Sequence, residues 1–399
     1  MQREKESSKL FDPKSLGILS LSLLTMATGI VSPAIPAIAK QYPAVSQSLV
    51  DQVSTIPSFL MALFILISGW IVRKIGTKKT VIIGLWLIIA STVLSLIAPN
   101  IYVLLAARAL LGAGIGMYNS LAVSLITVSY QGDKQSQLLG WQNAFQGIGA
   151  LGGSLLVSVL LLIHWRASFI IYFIAIYILF VYQKNVPEIA VTGTAAEDNA
   201  SAPQKTNWMT VIAAGIVTFV LMAAYMISVV KIPTYLIQNN IGSASTSSLL
   251  IGAISLLIIF AGIVYGNLYK RLGYGVLIIA SFLMLAAYAL LAFSHTLITS
   301  ALATILIGVA FGFFVPFTFG AASNAADISQ SDNVTKFMMI MNNLANFAAP
   351  FLAASISGNS SSTNAVFSGG TIVLTVAFIL ILLVGVKELA HIRNHSLSR

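Results

Sequence analysis

Long apolar runs alternate along this chain with short polar or charged breaks. Twelve runs cover 15–39, 48–72, 79–98, 101–127, 136–162, 167–184, 208–238, 246–269, 275–294, 297–322, 335–357 and 366–388. Each is near the roughly 20 residues that a helix needs to cross ~30 Å of hydrocarbon. Barrel strands would alternate with period two over about ten residues. These runs do not, so the pattern predicts an all-α membrane protein with twelve transmembrane helices. One sizeable polar break, 186–207, carries Pro187, Gly193, Glu197, Asp198 and Pro203 and divides the spans six and six. The expected layout is a tail over 1–14, a six-helix bundle over 15–185, the linker, a second six-helix bundle over 208–389 and a tail over 390–399.

The two sets of six share a pattern. A cationic turn, Gly69-Trp70-Ile71-Val72-Arg73-Lys74-Ile75-Gly76-Thr77-Lys78-Lys79, separates the second and third spans. It returns after the eighth span as Gly266-Asn267-Leu268-Tyr269-Lys270-Arg271-Leu272-Gly273, with both pairs of bounding glycines 197 residues apart. Pro36 and Pro233 keep that offset. Gly112 and Gly116 match Gly308 and Gly312 at 196, and Gln142, Asn143 and Gln146 match Asn342, Asn343 and Asn346 at 200. A near-constant offset implies two parallel, pseudo-symmetric halves related by an axis along the membrane normal.

Composition narrows the class. Only 8% of the 399 residues are charged and 58% are hydrophobic, whereas soluble proteins carry roughly 25% charged residues. A solvated globule is excluded. The net charge of +10 is better explained by loops facing anionic lipid than by nucleic acid. With the N-terminus inside, inner segments hold 17 of the 21 cations, outer segments hold Lys40, Arg166 and Lys231, and Arg108 lies within a span. This bias places both termini and the linker in the cytoplasm of a multi-pass cell-membrane protein. Residues 1–15 lack the apolar core and cleavage site of a signal peptide and are expected to be retained. The absence of cysteine removes disulfides and cysteine-based metal or redox centres. No phosphate loop, metal cluster or nucleophile–base set is present, so neither an enzyme, an ATP-driven pump nor a cofactor is expected.

Few residues are left to carry chemistry. Arg108 lies seven residues into the fourth span from Ile101, about 10 Å deep at ~1.5 Å per residue. Burying it costs at least ~2.5 kcal/mol, so it faces a cavity or a partner, or it snorkels or bonds to carbonyls of a neighbouring helix. Thr304 is its counterpart in the second half. Ten of the eleven acids fall in loops, termini or helix ends, and the four histidines lie in loops or the tail. Asp51, at the outer start of the second span, is either an acid favoured by the helix dipole or a proton site paired with Arg108. Gln142, Asn143, Gln146, Asn342, Asn343 and Asn346 either bond helix to helix or form a ring along the pathway, with Pro350 bending the eleventh span. Gly112, Gly114, Gly116, Gly147, Gly149, Gly152 and Gly153 read first as close helix contacts. Tyr225, with Met222, Met226, Phe311, Phe313, Phe314 and Phe317, offers an apolar lining if it faces inward. Asn119 in the fourth span completes the candidate set.

At these residues the chain resembles the major facilitator superfamily over nearly its whole length. The family's loop reads Gly-x-Leu-Ala-Asp-Arg-x-Gly-Arg-Lys. Gly69, Lys74, Gly76 and Lys78 match it, while Arg73 replaces the Asp and Thr77 the later Arg. The resemblance implies that this loop gates the cytoplasmic side, and Arg73 removes the acid of the family's inner latch. Arg108 with Gly112 resembles the Arg-plus-Gly motif of the drug:proton antiporter branch, and Pro33 with Pro36 its Pro-x-x-Pro. Trp165-Arg166 with Phe169 resembles a common start to the sixth helix. Gly152-Gly153 resembles the end of the antiporter motif, although Gly149 stands at its Pro and Ile148 at its Gly.

The expected protein is therefore a monomeric secondary transporter in the lipid bilayer. It exports a small amphipathic or lipophilic compound by alternating access, coupled to protons. Import or facilitated passage of a small, anionic solute is the first alternative, because Arg108 has no buried acid beside it. A non-transporting sensor or scaffold is the alternative from another class.

Overall fold

The computed structural model describes residues 11–189 and 206–397 except 26, 294, 328–329 and 359–361, and leaves out the side chains of 27, 133, 136, 332 and 386–397. Most of the 186–207 linker and most of the expected N-terminal tail lie outside the described residues. The chain divides at Pro203 into two compact units, Met1–Pro203 and Gln204–Arg399.

Every regular element among the described residues is helical. The first unit holds α1 (Pro13–Ser20), α2 (Ile35–Gln41), α3 (Gln47–Ile75), α4 (Thr77–Ile97), α5 (Ile101–Ser129), α6 (Gly132–Leu160) and α7 (Ile174–Asn185). The second holds α8 (Trp208–Gln238), α9 (Ala244–Leu272), α10 (Gly275–Phe293), α11 (Leu297–Asn324), α12 (Ser331–Ile356) and α13 (Thr363–Leu397). Among the described residues, eleven spans are long and apolar enough to cross a membrane, with a shorter apolar helix at Pro13–Leu24. This is the twelve-helix, all-α membrane architecture that the apolar pattern predicts.

One span departs from expectation. Residues 15–39 do not form a continuous helix. After α1, the chain passes through 3-10 turns at Leu21–Leu24, Ala27–Gly29 and Ser32–Ala34 before α2 begins. Pro33 and Pro36 are the second residues of the last turn and of α2, where a missing N–H is tolerated but the preceding helix cannot run through. Ser20 and Thr25 also bond back to the carbonyls of Gly17 and Ser22, at 2.8 Å each, which competes with regular helix bonding. Hydropathy measures span length and is blind to this break.

The repeated cationic turn has a local physical cause. Gly76 ends α3 with φ +87° and Gly273 ends α9 with φ +50°, values that glycine alone adopts cheaply. Arg73 and Lys74, and Lys270 and Arg271, occupy the last turns before them, where cations complement the negative end of the helix dipole.

The repeated glycines are contact points. A Cβ on Gly112 would overlap the Pro57 carbonyl of α3, and one on Gly116 would lie 2.7 Å from the Met61 carbonyl oxygen. In the second unit, a Cβ on Gly308 would meet the Ile254 carbonyl oxygen at 2.9 Å, and one on Gly312 that of Ile258 at 3.0 Å. Both units thus press a Gly-x-x-x-Gly face onto the backbone of a neighbouring helix, α5 on α3 and α11 on α9.

Asp12 fastens the start of the first unit. Its carboxylate caps α1 by accepting the Ser15 N–H at 2.6 Å, and it also accepts the Tyr130 hydroxyl at 2.9 Å and Lys134 Nζ at 3.0 Å. Burial alone would raise its pKa, but the Ser15 amide, Lys134 and Tyr130 outweigh burial and hold the carboxyl below its ordinary value. A depressed folded pKa contributes stability that is present above the unfolded carboxylate range and is lost as pH falls through the folded value. Asp12→Asn keeps a capping oxygen but loses the ion pair. It is expected to cost about 1 kcal/mol or less at neutral pH and to flatten the decline in stability below ~pH 4. Thermal unfolding across pH 3 to 7 measures both effects.

Candidate functional site

In the first unit, Arg108 is fully enclosed, with 0% of its surface exposed. Its Nε donates to the Val53 carbonyl at 2.9 Å, and its Nη2 donates to the Thr28 carbonyl at 3.0 Å and to the Tyr172 hydroxyl at 3.2 Å. The guanidinium carbon also lies 4.9 Å from the Tyr172 ring centre and 5.6 Å from that of Phe169. Each partner has a reason to be available. Pro57 interrupts α3, and a proline cannot donate to the carbonyl four residues earlier, which here is Val53. Thr28 lies in the broken first span, where backbone at membrane depth must find partners elsewhere. Arg108 thus repairs two helix interruptions at once, the carbonyl-bonding role left open by the sequence. Its Nη1 has no acceptor among the described residues.

Asp51 is also fully buried and accepts Gln47 Nε2 at 2.8 Å. It lies beyond the first turn of α3, which contains no acid. Arg108 reaches α3 two residues further on, at the Val53 carbonyl. Gln52, Ser54, Thr55 and Ser58 are buried beside Asp51, with Thr55 Oγ1 donating to Gln52 at 3.2 Å and Ser32 Oγ to Ser54 Oγ at 3.1 Å. Sequence reasoning singled out Asp51 and missed this buried polar stretch, although the run Asp51-Gln52-Val53-Ser54-Thr55 within an apolar span was its visible signal. Asn119 and Gln146 are half-buried, Gln142 is buried, and Asn143 is exposed and bonded to its own helix at the Leu139 carbonyl.

In the second unit, Thr304 is fully buried and donates to the Ser300 carbonyl of its own turn at 2.6 Å. The aromatic candidates are interior. Tyr225 on α8 lies 4.5 Å, ring centre to ring centre, from Phe311 on α11, which contacts Phe314 at 5.5 Å. Met222, Met226, Phe311, Phe313 and Phe314 are buried. Lys231, expected in an outer segment, lies inside α8 and is only 8% exposed. The second unit therefore also carries a buried cation, and its place two residues before Pro233 in an apolar run was the available clue. Asn342 is half-buried, whereas Asn343 and Asn346 are buried. Burial does not follow the repeat, since exposed Asn143 corresponds to buried Asn343.

The expected gating loop is almost wholly helical: Gly69, Arg73 and Lys74 lie in the last two turns of α3, Lys78 lies in the first turn of α4, and Gly76 alone separates the two helices. Lys74 Nζ lies over the Trp70 ring at 3.9 Å, and Lys78 Nζ donates to the Gln183 carbonyl at 3.0 Å. An acid does sit here, but it arrives from beyond α7. Glu188 accepts the backbone N–H groups of Thr77 at 2.8 Å and Lys78 at 3.2 Å. It thereby caps α4, where a negative charge suits the helix dipole. A Cβ on Gly76 would lie 3.0 Å from the Glu188 carboxylate. Sequence reasoning missed Glu188, whose partners are 110 and 111 residues away.

Two similar six-span units, repeated glycine contacts and buried polar residues at membrane depth define a multi-pass membrane carrier architecture. The sequence profile described as Major Facilitator Superfamily matches residues 17–213 and again 214–396. The chain belongs to the major facilitator superfamily. It is 34% identical over 102 residues to the galactose-proton symporter of Escherichia coli (strain K12), covering 26% of this chain and 22% of that protein. It is 32% identical over 171 residues to the multidrug efflux protein YfmO of Bacillus subtilis (strain 168), covering 42% of each. The chain thus spans less than half the length of these curated relatives. Among solved structures, a mutant of the peptide transporter POT superposes with a TM-score of 0.76 at 14% identity, over 94% of each chain. That likeness is one of fold.

Proposed function

We propose that this protein is a secondary transporter that exports a small amphipathic or lipophilic compound, driven by protons, by alternating access of its two six-helix halves. The buried aromatic and thioether cluster of α8 and α11 carries this reading. Half-buried Tyr225 lies tilted against Phe311, 4.5 Å between ring centres, and Met222, Met226 and Phe314 are buried on the same two helices, which suits an apolar body that varies in shape. The efflux relative supports the outward direction, and the symporter relative supports coupling to protons. The 17-to-3 bias of cations supports a cell-membrane protein with cytoplasmic termini. Arg108, with one N–H pair left over, favours a second reading, passage of a small anion.

Asp51 is the acid assigned to coupling, because it is fully buried in α3 two residues from the Val53 carbonyl that Arg108 holds. Asp51→Asn is expected to abolish the dependence of transport on a pH gradient while substrate exchange continues. Gradient-driven flux and counterflow in proteoliposomes separate the two activities. Full gradient-driven flux in Asp51→Asn would reduce Asp51 to a structural acid. A wild type indifferent to the gradient would transfer the assignment to the facilitator reading.

A further inference from the structure

Helix α12 carries a cluster of hydrogen-bond acceptors that the described residues leave unanswered. Asn343 is 3% exposed and Asn346 is 6% exposed, yet the Oδ1 atoms of both have no donor among the described residues. For Asn343 the amide orientation is set, because its Nδ2 donates to the Met339 carbonyl at 2.8 Å. The two residues are three apart, about one helical turn, and point to the same side of the helix. Pro350 lies inside α12 four residues after Asn346 and has no N–H to offer the Asn346 carbonyl. Two side-chain oxygens and one proline-freed carbonyl therefore gather within a single turn.

This face is distinct from the one that α12 uses for packing. Val334 and Met338 join Val211 and Ala214 of α8 in an apolar cluster, and Gly215 of α8 faces Phe337 and Met341. Helical spacing puts Val334, Met338, Met341 and Ala345 on that side, and Met339, Asn343, Asn346 and Pro350 on another. The acceptors are thus not needed to hold α12 to α8. The first unit shows how this chain treats the same defect where it is structural, since Arg108 itself serves the carbonyl freed by Pro57. No donor among the described residues plays that part for the Oδ1 atoms of Asn343 and Asn346.

We propose that Asn343 and Asn346 form a subsite for a hydrogen-bond donor, so that the transported compound carries a hydroxyl or N–H group which these oxygens receive. The inference rests on the transport reading and adds the polar half of the substrate to the apolar half. Burying an acceptor without a partner is costly, and an incoming donor relieves the cost on binding. A compound with its donor capped forfeits that gain and leaves the oxygens desolvated.

The test uses purified full-length protein in lipid nanodiscs and three pairs of probes, each a donor and its alkylated form. The pairs are rhodamine 123 with tetramethylrhodamine methyl ester, naphthol with methoxynaphthalene, and myo-inositol with its fully O-methylated ether. Within at least one pair, wild type is expected to bind the donor on the order of tenfold more tightly. The double variant Asn343→Leu, Asn346→Leu should bind both members alike, with unliganded thermal stability unchanged or raised. Asn346→Gln, which keeps a carbonyl oxygen, should retain the preference. Equal binding within every pair by wild type, a preference that survives the double leucine variant, or no binding by any donor probe overturns the subsite. An asparagine-dependent preference confined to the inositol pair upholds the subsite and sinks the lipophilic-export reading instead.

Discussion

Arg108→Ala is expected to abolish transport and to produce the largest fall in stability of any single change in the first unit. The alanine strands two carbonyls that Arg108 now satisfies, those of Val53 and Thr28, and removes its bond to the Tyr172 hydroxyl. Each buried group left unpaired costs ~1–3 kcal/mol, and breaking a buried charged network costs about 3–5 kcal/mol. Removing the charge itself refunds part of this, because a buried guanidinium is expensive to hold. Arg108→Lys retains the charge but not the planar fork that reaches three partners. It should recover part of the stability and little of the transport. Differential scanning fluorimetry in detergent and flux in proteoliposomes report the two quantities separately. A wild-type melting temperature in Arg108→Ala would show that the bonds to the broken spans contribute nothing. Lost flux at unchanged stability would assign Arg108 to substrate or coupling alone.

Gly112→Ala is expected to destabilise the protein well beyond the usual effect of adding one methyl group. Its Cβ would overlap the Pro57 carbonyl oxygen and come within 2.6 Å of the Pro57 Cα. Both obstacles are backbone, so no rotamer can yield and α5 must move off α3. Overpacking of this kind costs ~1–3 kcal/mol, and the displacement also stretches the Arg108 bond to Val53. Gly152→Ala is the matched control. Nothing lies within 4 Å of its would-be Cβ, so the gain of up to ~1 kcal/mol in helix propensity should dominate. Opposite shifts in melting temperature are the expected result, and equal shifts would mean that the α3–α5 contact does not resist an added methyl group.

The span lengths and the two-unit plan were legible because they rest on the coarsest physics, the thickness of hydrocarbon and the scarcity of charge. The seventh run, read as 208–238, coincides with α8, Trp208–Gln238. What escaped depended on distance or on backbone angles. Glu188 caps a helix more than a hundred residues away, and no local pattern announces that pairing. The broken first span was signalled by Pro33 and Pro36, but apolarity masked it. Lys231 was assigned to an outer segment because charge counting follows loops, whereas the long stem of lysine allows burial. The amides repeat in sequence without repeating in environment, since Asn143 is exposed and Asn343 is buried. The sequence offset revealed common ancestry of position and said nothing of which copy had been turned inward.

The glycine contacts also have a mechanical consequence. Where α5 rests on α3, and α11 on α9, the atoms nearest each glycine are backbone or Cβ atoms, whose positions no rotamer changes. Sliding between packed helices is absorbed by side chains that change rotamer, and at these points there are none to change. Each pair therefore behaves as one stiff beam. Within the first unit, the segment of 3-10 turns between α1 and α2 lacks a continuous ladder of helical bonds, but it is braced in the same way, since a Cβ on Gly149 of α6 would overlap the Leu23 carbonyl. Arg108, bonded to the Thr28 carbonyl further along, is the second pin set through that segment.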